Sequence, residues 1–170
     1  MKLEVPYYSQ FLDITDSFWM IRACGAVAMK SVGEFHKITM PELLVLCEEA
    51  KDKGGYDMSN GWVHDYIVTR LKNEGLEVSR KEGLTSIDDI SDSLKAGNPV
   101  IASVEKRVLE QTRFHLIVLV GYEKDSDGKV TDFYYHESES TNKERGMYRK
   151  CTTEIFMNYW RGKIILVKKS

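Results

Sequence analysis

The pattern of apolar residues changes once along this chain, at the helix-breaking motif Gly97-Asn98-Pro99. Before this motif, apolar residues recur at helical spacing, which predicts helices over residues 23–36, 41–53, 61–74 and 87–95. Pro41 suits the first turn of the second helix, and Gly75 terminates the third. After it, runs rich in β-branched and aromatic residues alternate with turn residues, which predicts strands. A helical first half packed on an antiparallel sheet from the second half is typical of the α+β class.

The predicted strands cover residues 100–104, 114–122, 130–136 and 163–168. Asp125-Ser126-Asp127-Gly128 is typical of a hairpin turn, so the second and third of these strands should be antiparallel neighbours. Asn60 is predicted to cap the third helix. Thr152 or Thr153 is predicted to cap a further helix that ends at Trp160.

The composition indicates an ordinary globular protein with one domain, residues 1–170. Hydrophobic residues make up 42% of the chain and charged residues 29%, which excludes the disordered and membrane-spanning classes. The net charge is -2 and the basic residues are dispersed, so we expect no nucleic-acid partner. The longest apolar run, residues 116–120, is too short to cross a membrane, and the N-terminus lacks the features of a secretory signal. We therefore expect a cytoplasmic protein with no membrane partner.

The three cysteines, Cys24, Cys47 and Cys151, are odd in number and too irregularly spaced for a disulfide framework. The sequence contains no Cys-x-x-Cys pair and no His-Glu-x-x-His motif, so we expect no metal site and no cofactor. Cys47 follows Leu43 and Leu46 at helical spacing and is predicted to lie in the core. Cys151 is predicted to be structural or to lie at the surface.

Cys24 stands where a loop is predicted to become a helix, in the segment Arg22-Ala23-Cys24-Gly25-Ala26. The unpaired N–H groups and the dipole of a helix start favour an anion, so a thiolate at this position is stabilised and nucleophilic. Gly25 is predicted to let a substrate backbone approach the thiol. The alternative interpretation is an inert buried cysteine.

His115 opens the most apolar of the predicted strands. A rigid strand holds an imidazole in one place, as a general base requires, and a thiol with an imidazole forms a working catalytic pair. The alternative is a core histidine whose hydrogen bonds are satisfied locally.

The predicted hairpin offers a third group to orient the imidazole of His115. Counting back from the turn places a residue from the window 137–140 opposite His115. One parity of the pairing puts Glu137 and Glu139 on the face of His115, and the other parity puts His136 and Ser138 there. The turn sequence alone leaves both parities open.

Five segments, in their order along the chain, resemble the peptidase family that trims double-glycine leader peptides, together with its stand-alone relatives in the papain-like clan. The matching segments are Val5-Pro6-Tyr7-Tyr8-Ser9-Gln10, Ala23-Cys24-Gly25-Ala26-Val27-Ala28-Met29, Gly97-Asn98-Pro99-Val100-Ile101, Phe114-His115-Leu116-Ile117-Val118-Leu119-Val120-Gly121-Tyr122, and residues 156–160 with Gly162 and the last strand. Together these segments span nearly the whole chain.

The resemblance implies a papain-like cysteine proteinase fold in which Cys24 is the nucleophile and His115 is its base. The third residue of the family is usually an Asp followed by Pro. Here Glu137 and Ser138 occupy these positions, so Glu137 is expected to orient His115. Gln10 matches the glutamine that helps to hold the oxyanion in such enzymes, and a polar residue at a strand end is the alternative interpretation.

The function implied is that of a thiol hydrolase that cleaves a peptide or related amide bond through a Cys24 acyl-enzyme, with a peptide or protein as substrate. A non-catalytic peptide-binding module on the same fold and an acyltransferase with the same triad are the alternatives. Family members that trim leader peptides are parts of membrane transporters, so the resemblance does not define the substrate of this chain.

Overall fold

The computed structural model describes residues 1–108 and 111–170. The helices are α1 (Gln10–Asp13), α2 (Cys24–Phe35), α3 (Leu43–Asp52), α4 (His64–Lys72), α5 (Asp88–Lys95), α6 (Lys143–Gly146) and α7 (Thr153–Tyr159). The strands are β1 (Tyr56–Asp57), β2 (Gly61–Trp62), β3 (Leu76–Lys81), β4 (Val100–Val108), β5 (Gln111–Lys124), β6 (Val130–His136), β7 (Arg149–Thr152) and β8 (Trp160–Lys169). β1 and β2 form a small hairpin, and the other strands form one antiparallel sheet in the order β3-β8-β4-β5-β6-β7.

The α+β architecture predicted from the sequence is confirmed, and α2, α3 and α5 lie within two residues of their predicted bounds. Thr152 caps α7 by accepting a hydrogen bond from the N–H of Ile155, as predicted. The prediction for Asn60 is wrong, because Asn60 lies in the turn between β1 and β2 and α4 begins only at His64. The Asp57 carboxylate accepts hydrogen bonds from the N–H groups of Ser59 and Asn60, and this local turn replaces the first turn of the predicted helix.

The sheet also contains β3, which the sequence analysis missed and which comes from the first half of the chain. β3 pairs with β8 at the edge of the sheet, with Leu76 and Val78 buried and Glu77 and Ser79 exposed. An edge strand with only two apolar residues carries a weak strand pattern, because its outer face is solvated and charged. The prediction that the sheet forms from the second half alone is therefore corrected.

Apolar side chains cover both faces of the sheet and form two core clusters. One cluster packs α2, α3 and α4 on one face and includes Ile101, Leu116 and Val118. The other packs α5 and α7 on the opposite face and includes Ala102 and Leu119. Neighbouring residues of β4 and β5 thus point into different cores, which explains their continuous apolar runs. None of the helices in the described ranges is both long and apolar enough to cross a membrane.

The pairing of β5 with β6 decides which residues face His115. Val118 pairs with His136, and the register shifts by one residue between Leu119 and Gly121. Continued toward the strand end, this pairing puts Glu137 and Glu139 on the face of His115, so one of the two parities left open by the sequence is selected.

The register shift coincides with a close approach of the N-terminal segment. Lys2 forms a bridge to Gly121, and the N–H of Tyr122 donates to the carbonyl of Met1. A Cβ on Gly121 would lie 2.3 Å from that carbonyl oxygen, so glycine permits the contact. Residues distant in sequence therefore meet the hairpin where its register changes.

Candidate active site

Cys24 is the first residue of α2, as predicted, and its side chain is partly exposed. The N-cap residue, Ala23, has no side chain that can accept a hydrogen bond from the first turn. The N–H groups of this turn are therefore available to an anion at the thiol position. The thiol lines a cleft of about 730 Å³ that runs between α2, the β1–β2 hairpin and the ends of β3, β5 and β8.

His115 reaches the same cleft from β5 and is only 2% exposed. Its Nε2 lies 2.6 Å from Oε1 of Glu137, and its Nδ1 lies 3.5 Å from Oε1 of Glu139. The Cys24 thiol lies beside the ring, close enough to raise the pKa of the imidazole. The structure thus brings together Cys24, His115 and Glu137, with Glu139 as an additional carboxylate.

The environment of His115 favours its charged form. Burial lowers the pKa of the imidazole, but the hydrogen bonds and charges of Cys24 and Glu137 outweigh burial and raise the pKa to about 10. Burial likewise raises the pKa of the Glu137 carboxyl, but His115 and then Lys106 lower it to about 2. The geometry therefore supports a buried ion pair between an imidazolium and a carboxylate.

Two basic residues hold Glu139 in this cluster. Lys106 and Arg113 lie 2.9 and 2.5 Å from its Oε2. Burial raises the pKa of the Glu139 carboxyl, but Arg113, His115 and Lys106 shift it below the ordinary value. Each of the two buried carboxylates therefore has positive partners, as burial of a charge requires.

The backbone around Glu137 is fixed by the N-terminal segment and by α6. The Tyr7 hydroxyl donates to the Glu137 carbonyl at 2.8 Å, and the Glu137 N–H donates to the carbonyl of Gly146 at 2.9 Å. A Cβ on Gly146 would lie 1.8 Å from the Tyr7 hydroxyl oxygen, so only glycine fits between these groups. The N–H of Glu139 donates to Oε1 of Glu137 and orients the carboxylate itself.

Gln10 is completely buried and belongs to the same network. Its backbone N–H donates to the carbonyl of Ser138, its Oε1 accepts a hydrogen bond from the Ser138 hydroxyl at 2.6 Å, and its Nε2 donates to the carbonyl of Met20. Among the described residues, Gln10 is not one of the side chains that line the cleft. The structure ties Gln10 to the segment that carries Glu137, and its role at the oxyanion stays a prediction.

Gly25 has a packing role in the structure, and its predicted role in letting a substrate backbone approach the thiol stays a prediction. The ring of Trp62 lies directly over Gly25, and a Cβ there would be 2.1 Å from ring atom Cδ2. The Trp62 indole N–H donates to the carbonyl of Arg22, and the Trp62 ring stacks edge-on against Tyr56. Trp62 is a wall of the cleft that the sequence analysis missed, since a single tryptophan in a two-residue strand has no periodicity.

The remaining histidines and cysteines considered as candidates lie outside the Cys24–His115–Glu137 cluster. His136 is buried between the carbonyl of Val5 and the N–H of Tyr148, which fixes both ring nitrogens. Cys47 is in the core, where burial raises its pKa to about 12, and burial raises the pKa of Cys151 to about 11. His64 lines the cleft, where burial and then the charges of nearby basic residues lower its pKa to about 4.

The sequence model of the family described as Peptidase_C39 like family matches residues 2–163, almost the whole chain. The chain belongs to this family. The resemblance to double-glycine leader peptidases and the prediction of a cysteine peptidase are thereby confirmed.

Two solved structures show the same fold as this member of the Peptidase_C39 like family. The peptidase domain of Streptococcus ComA, a bifunctional ABC transporter involved in a quorum sensing pathway, superimposes with a TM-score of 0.62 at 18% identity, over 88% of this chain and 93% of that domain. A double glycine motif protease from an AMS/PCAT transporter, solved in complex with the leader peptide, superimposes with a TM-score of 0.62 at 16% identity, over 99% of this chain and 94% of that chain. The search of curated proteins finds no match. The predicted papain-like fold is confirmed.

The contact between Gly25 and Trp62 predicts a stability effect that is specific to that pair. Gly25→Ala should cost about 1–3 kcal/mol of unfolding free energy, because the new methyl group collides with the indole. In a Trp62→Ala background the same substitution should cost much less, because the ring is gone. Urea denaturation of the two single variants and the double variant measures this coupling. Equal costs in both backgrounds would contradict the packing described.

The charge state of His115 gives a second prediction. At pH 7.5, ring-nitrogen NMR should show His115 protonated on both nitrogens, whereas His64 should be neutral, since their pKa values are shifted to about 10 and about 4. Because the pKa of His115 is raised in the folded state, its stabilising effect is complete below about pH 6.5 and is lost as the pH rises toward 10. Cys24→Ala should lower the pKa of His115, because one of its stabilising neighbours is removed. Titration of His115 near pH 6.5 in the unmodified protein would refute the ion pair.

Proposed function

We propose that this protein is a thiol hydrolase that cleaves a peptide or related amide bond through an acyl-enzyme on Cys24. The observation that carries the proposal is the buried His115 ring, with Nε2 2.6 Å from the Glu137 carboxylate and the Cys24 thiol beside it at a helix start. A nucleophile, a base and an orienting group in this relation are the arrangement expected for efficient nucleophilic catalysis by a thiol. Membership of the Peptidase_C39 like family supports the same chemistry.

The reaction begins with attack of the Cys24 thiolate on the carbonyl carbon of the scissile bond. The carbonyl oxygen becomes an oxyanion, which the N–H groups at the start of α2 can bind, with the Gln10 amide as a further candidate donor. The His115 imidazolium gives a proton to the leaving amine as the C–N bond breaks, which leaves a thioester on Cys24. Water, deprotonated by His115, then attacks the thioester and releases the carboxylic acid and the thiol.

Glu137 serves in this scheme as the group that orients His115. A neutral imidazole has one N–H, and a carboxylate at Nε2 places that proton on Nε2 and leaves Nδ1 for the thiol side. The longer side chain of Glu, compared with the Asp usual in the family, still reaches Nε2 at 2.6 Å from its position after the end of β6. The change of Asp to Glu therefore preserves the contact on which the role depends.

The substrate is proposed to be a peptide. One of the structural relatives, the double glycine motif protease, was solved with a leader peptide bound, which supports peptides as the ligand class of this fold. Peptides containing Gly-Gly are accordingly among the first substrates to test. The cytoplasmic location stays a prediction of the sequence.

The proposed roles predict a graded loss of turnover. Cys24→Ala should lower cleavage of a mixed-sequence synthetic peptide library by at least about 10³-fold, and Glu137→Ala by about 10²-fold, because an unoriented base still functions in part. Cys151→Ala removes a thiol outside the cleft and is the matched control.

Mass spectrometry of the products, with and without an added amine, separates hydrolysis from acyl transfer. Cleavage by Cys24→Ala would refute the mechanism, and absence of any turnover that depends on Cys24 would favour the non-catalytic binding module.

The three thiols should also differ in reactivity. Cys24 should react with iodoacetamide near neutral pH at least about tenfold faster than Cys47 and Cys151, because burial keeps the latter two protonated. Peptide mapping after brief labelling of the folded protein measures the three rates. Labelling of the urea-unfolded chain, in which the rates should converge, is the control. Equal rates in the folded protein would contradict a catalytic role of Cys24.

A further inference from the structure

The charges that line the cleft are strongly unequal. Among residues 1–108 and 111–170, five basic side chains but only one carboxylate, that of Glu139, line the cleft. The basic residues are Arg22, Arg80, Arg113, Arg161 and Lys163. The chain as a whole carries a net charge of -2, so this positive character is local to the cleft.

Two of the five basic residues are neutralised by carboxylates. Arg113 pairs with Glu139, and Arg80 pairs with Asp65 and Glu82. The other three, Arg22, Arg161 and Lys163, form no ion pair within 4.0 Å with any carboxylate of residues 1–108 and 111–170. These three charges are the ones available to a ligand.

Arg161 is held in place without a carboxylate. One guanidinium nitrogen donates to the Ser103 hydroxyl at 2.9 Å, and the guanidinium lies over the Phe114 ring, 3.4 Å from its centroid. Burial lowers the pKa of Arg161 more than the charge of Glu105 raises it. A stacked, partly desolvated guanidinium with unused N–H donors has the geometry that binds a carboxylate through two hydrogen bonds.

Lys163 lies next to Arg161 on the same strand. Gly162 separates them with a positive φ of 66°, and its Cα faces the carbonyl of Leu84, where a Cβ would be 2.5 Å away. Lys163 pairs with Ser103, the residue that binds Arg161. The charges of Arg161 and Lys163 therefore converge on one part of the cleft wall.

The pKa of His64, on α4, is lowered in part by the same basic residues of the cleft. After burial, the charges of Arg80, Lys163 and Arg161 lower the pKa of this residue on α4. An anion between these groups would relieve the repulsion among them.

We propose that this cleft selects acidic peptides, in which an Asp or Glu side chain close to the scissile bond binds Arg161 and Lys163. The proposal rests on the proposed function, since it assigns a preference to the same cleft. A peptide fits better than a nucleic acid, because Arg161 and Lys163 lie in the same cleft as the nucleophile, and its exposed rim residues Ile21 and Phe114 are apolar. Nucleic-acid sites instead spread basic residues over an extended face.

The first experiment compares two small alkylating probes that differ in charge. Iodoacetate and iodoacetamide both modify Cys24, and the ratio of their rates reports the potential in the cleft. Arg161→Gln and Lys163→Gln should each lower the iodoacetate-to-iodoacetamide ratio about two- to fivefold, the effect expected for one charge acting across a partly solvated cleft. Arg161→Lys keeps the charge and should keep the ratio. Lys168→Gln, on the same strand but exposed and paired with Glu77, is the matched control. Ratios unchanged in both Gln variants would overturn the proposal.

The second experiment uses two synthetic peptide libraries that are identical except that one has Asn and Gln in place of every Asp and Glu. The protein should cleave the acidic library at least about fivefold faster at low salt, and the double variant R161Q/K163Q should lose this preference while its circular dichroism is unchanged. Equal cleavage of the two libraries would overturn the proposal. Binding of single-stranded RNA that is lost in the double variant would also overturn it, in favour of a nucleic-acid ligand.

The proposed function and this inference fail in different ways. If neither library is cleaved in a manner that depends on Cys24, the proposed function is wrong. Binding of the two libraries to Cys24→Ala, measured by fluorescence anisotropy, still decides the preference, because binding needs no turnover. Tighter binding of the acidic library supports the charge preference, and equal binding refutes it.

Discussion

The contact between His115 and Glu137 is the interaction on which the rest of the site depends. Both side chains are buried, so each charge depends strongly on the presence of the other. The contact requires one parity of the β5–β6 pairing and a fixed backbone after β6. The β5–β6 pairing has the required parity, and its register shifts near Gly121. The hydrogen bonds of the Glu137 backbone to Tyr7 and Gly146 fix the chain after β6.

The cleft begins where the core below α2 ends. On β8, Val167 and Ile165 pack in the core and Lys163 follows two residues away in the cleft. β3 repeats the arrangement, with Val78 in the core and Arg80 in the cleft. Residues two apart along a strand lie on the same face of the sheet. On this face, apolar residues lie under the helices and form the core, and basic residues beyond the helices line the cleft. The helices stop covering the sheet at this boundary, and Cys24, the first residue of α2, stands on it.

The sequence was sufficient for features set by local chemistry and insufficient for those set by distant contacts. The start of α2 at Cys24 and the turn at residues 125–128 follow from local patterns, and both predictions are confirmed. The parity that selects Glu137 could not be derived, because the β5–β6 register shifts twice, between Glu123 and Lys124 and between Leu119 and Gly121. The second shift lies beside the contact of residues 1 and 2 with the hairpin. The packing of Trp62 over Gly25 could not be predicted from the sequence either, because the two residues belong to different elements that meet only in the folded chain.

The two groups of charge in the cleft suit two different tasks. Near the nucleophile, Lys106, Arg113 and His115 form ion pairs with Glu137 and Glu139, so each of the two carboxylates has positive partners. A paired cluster holds the imidazole in one orientation before a substrate binds. Farther along the wall, Arg161 and Lys163 have no carboxylate partner in the described ranges, and their interaction energy remains available to a ligand. Separating the paired charges from the free ones allows binding selectivity to change by substitution on β8 without disturbing the residues proposed to carry out catalysis.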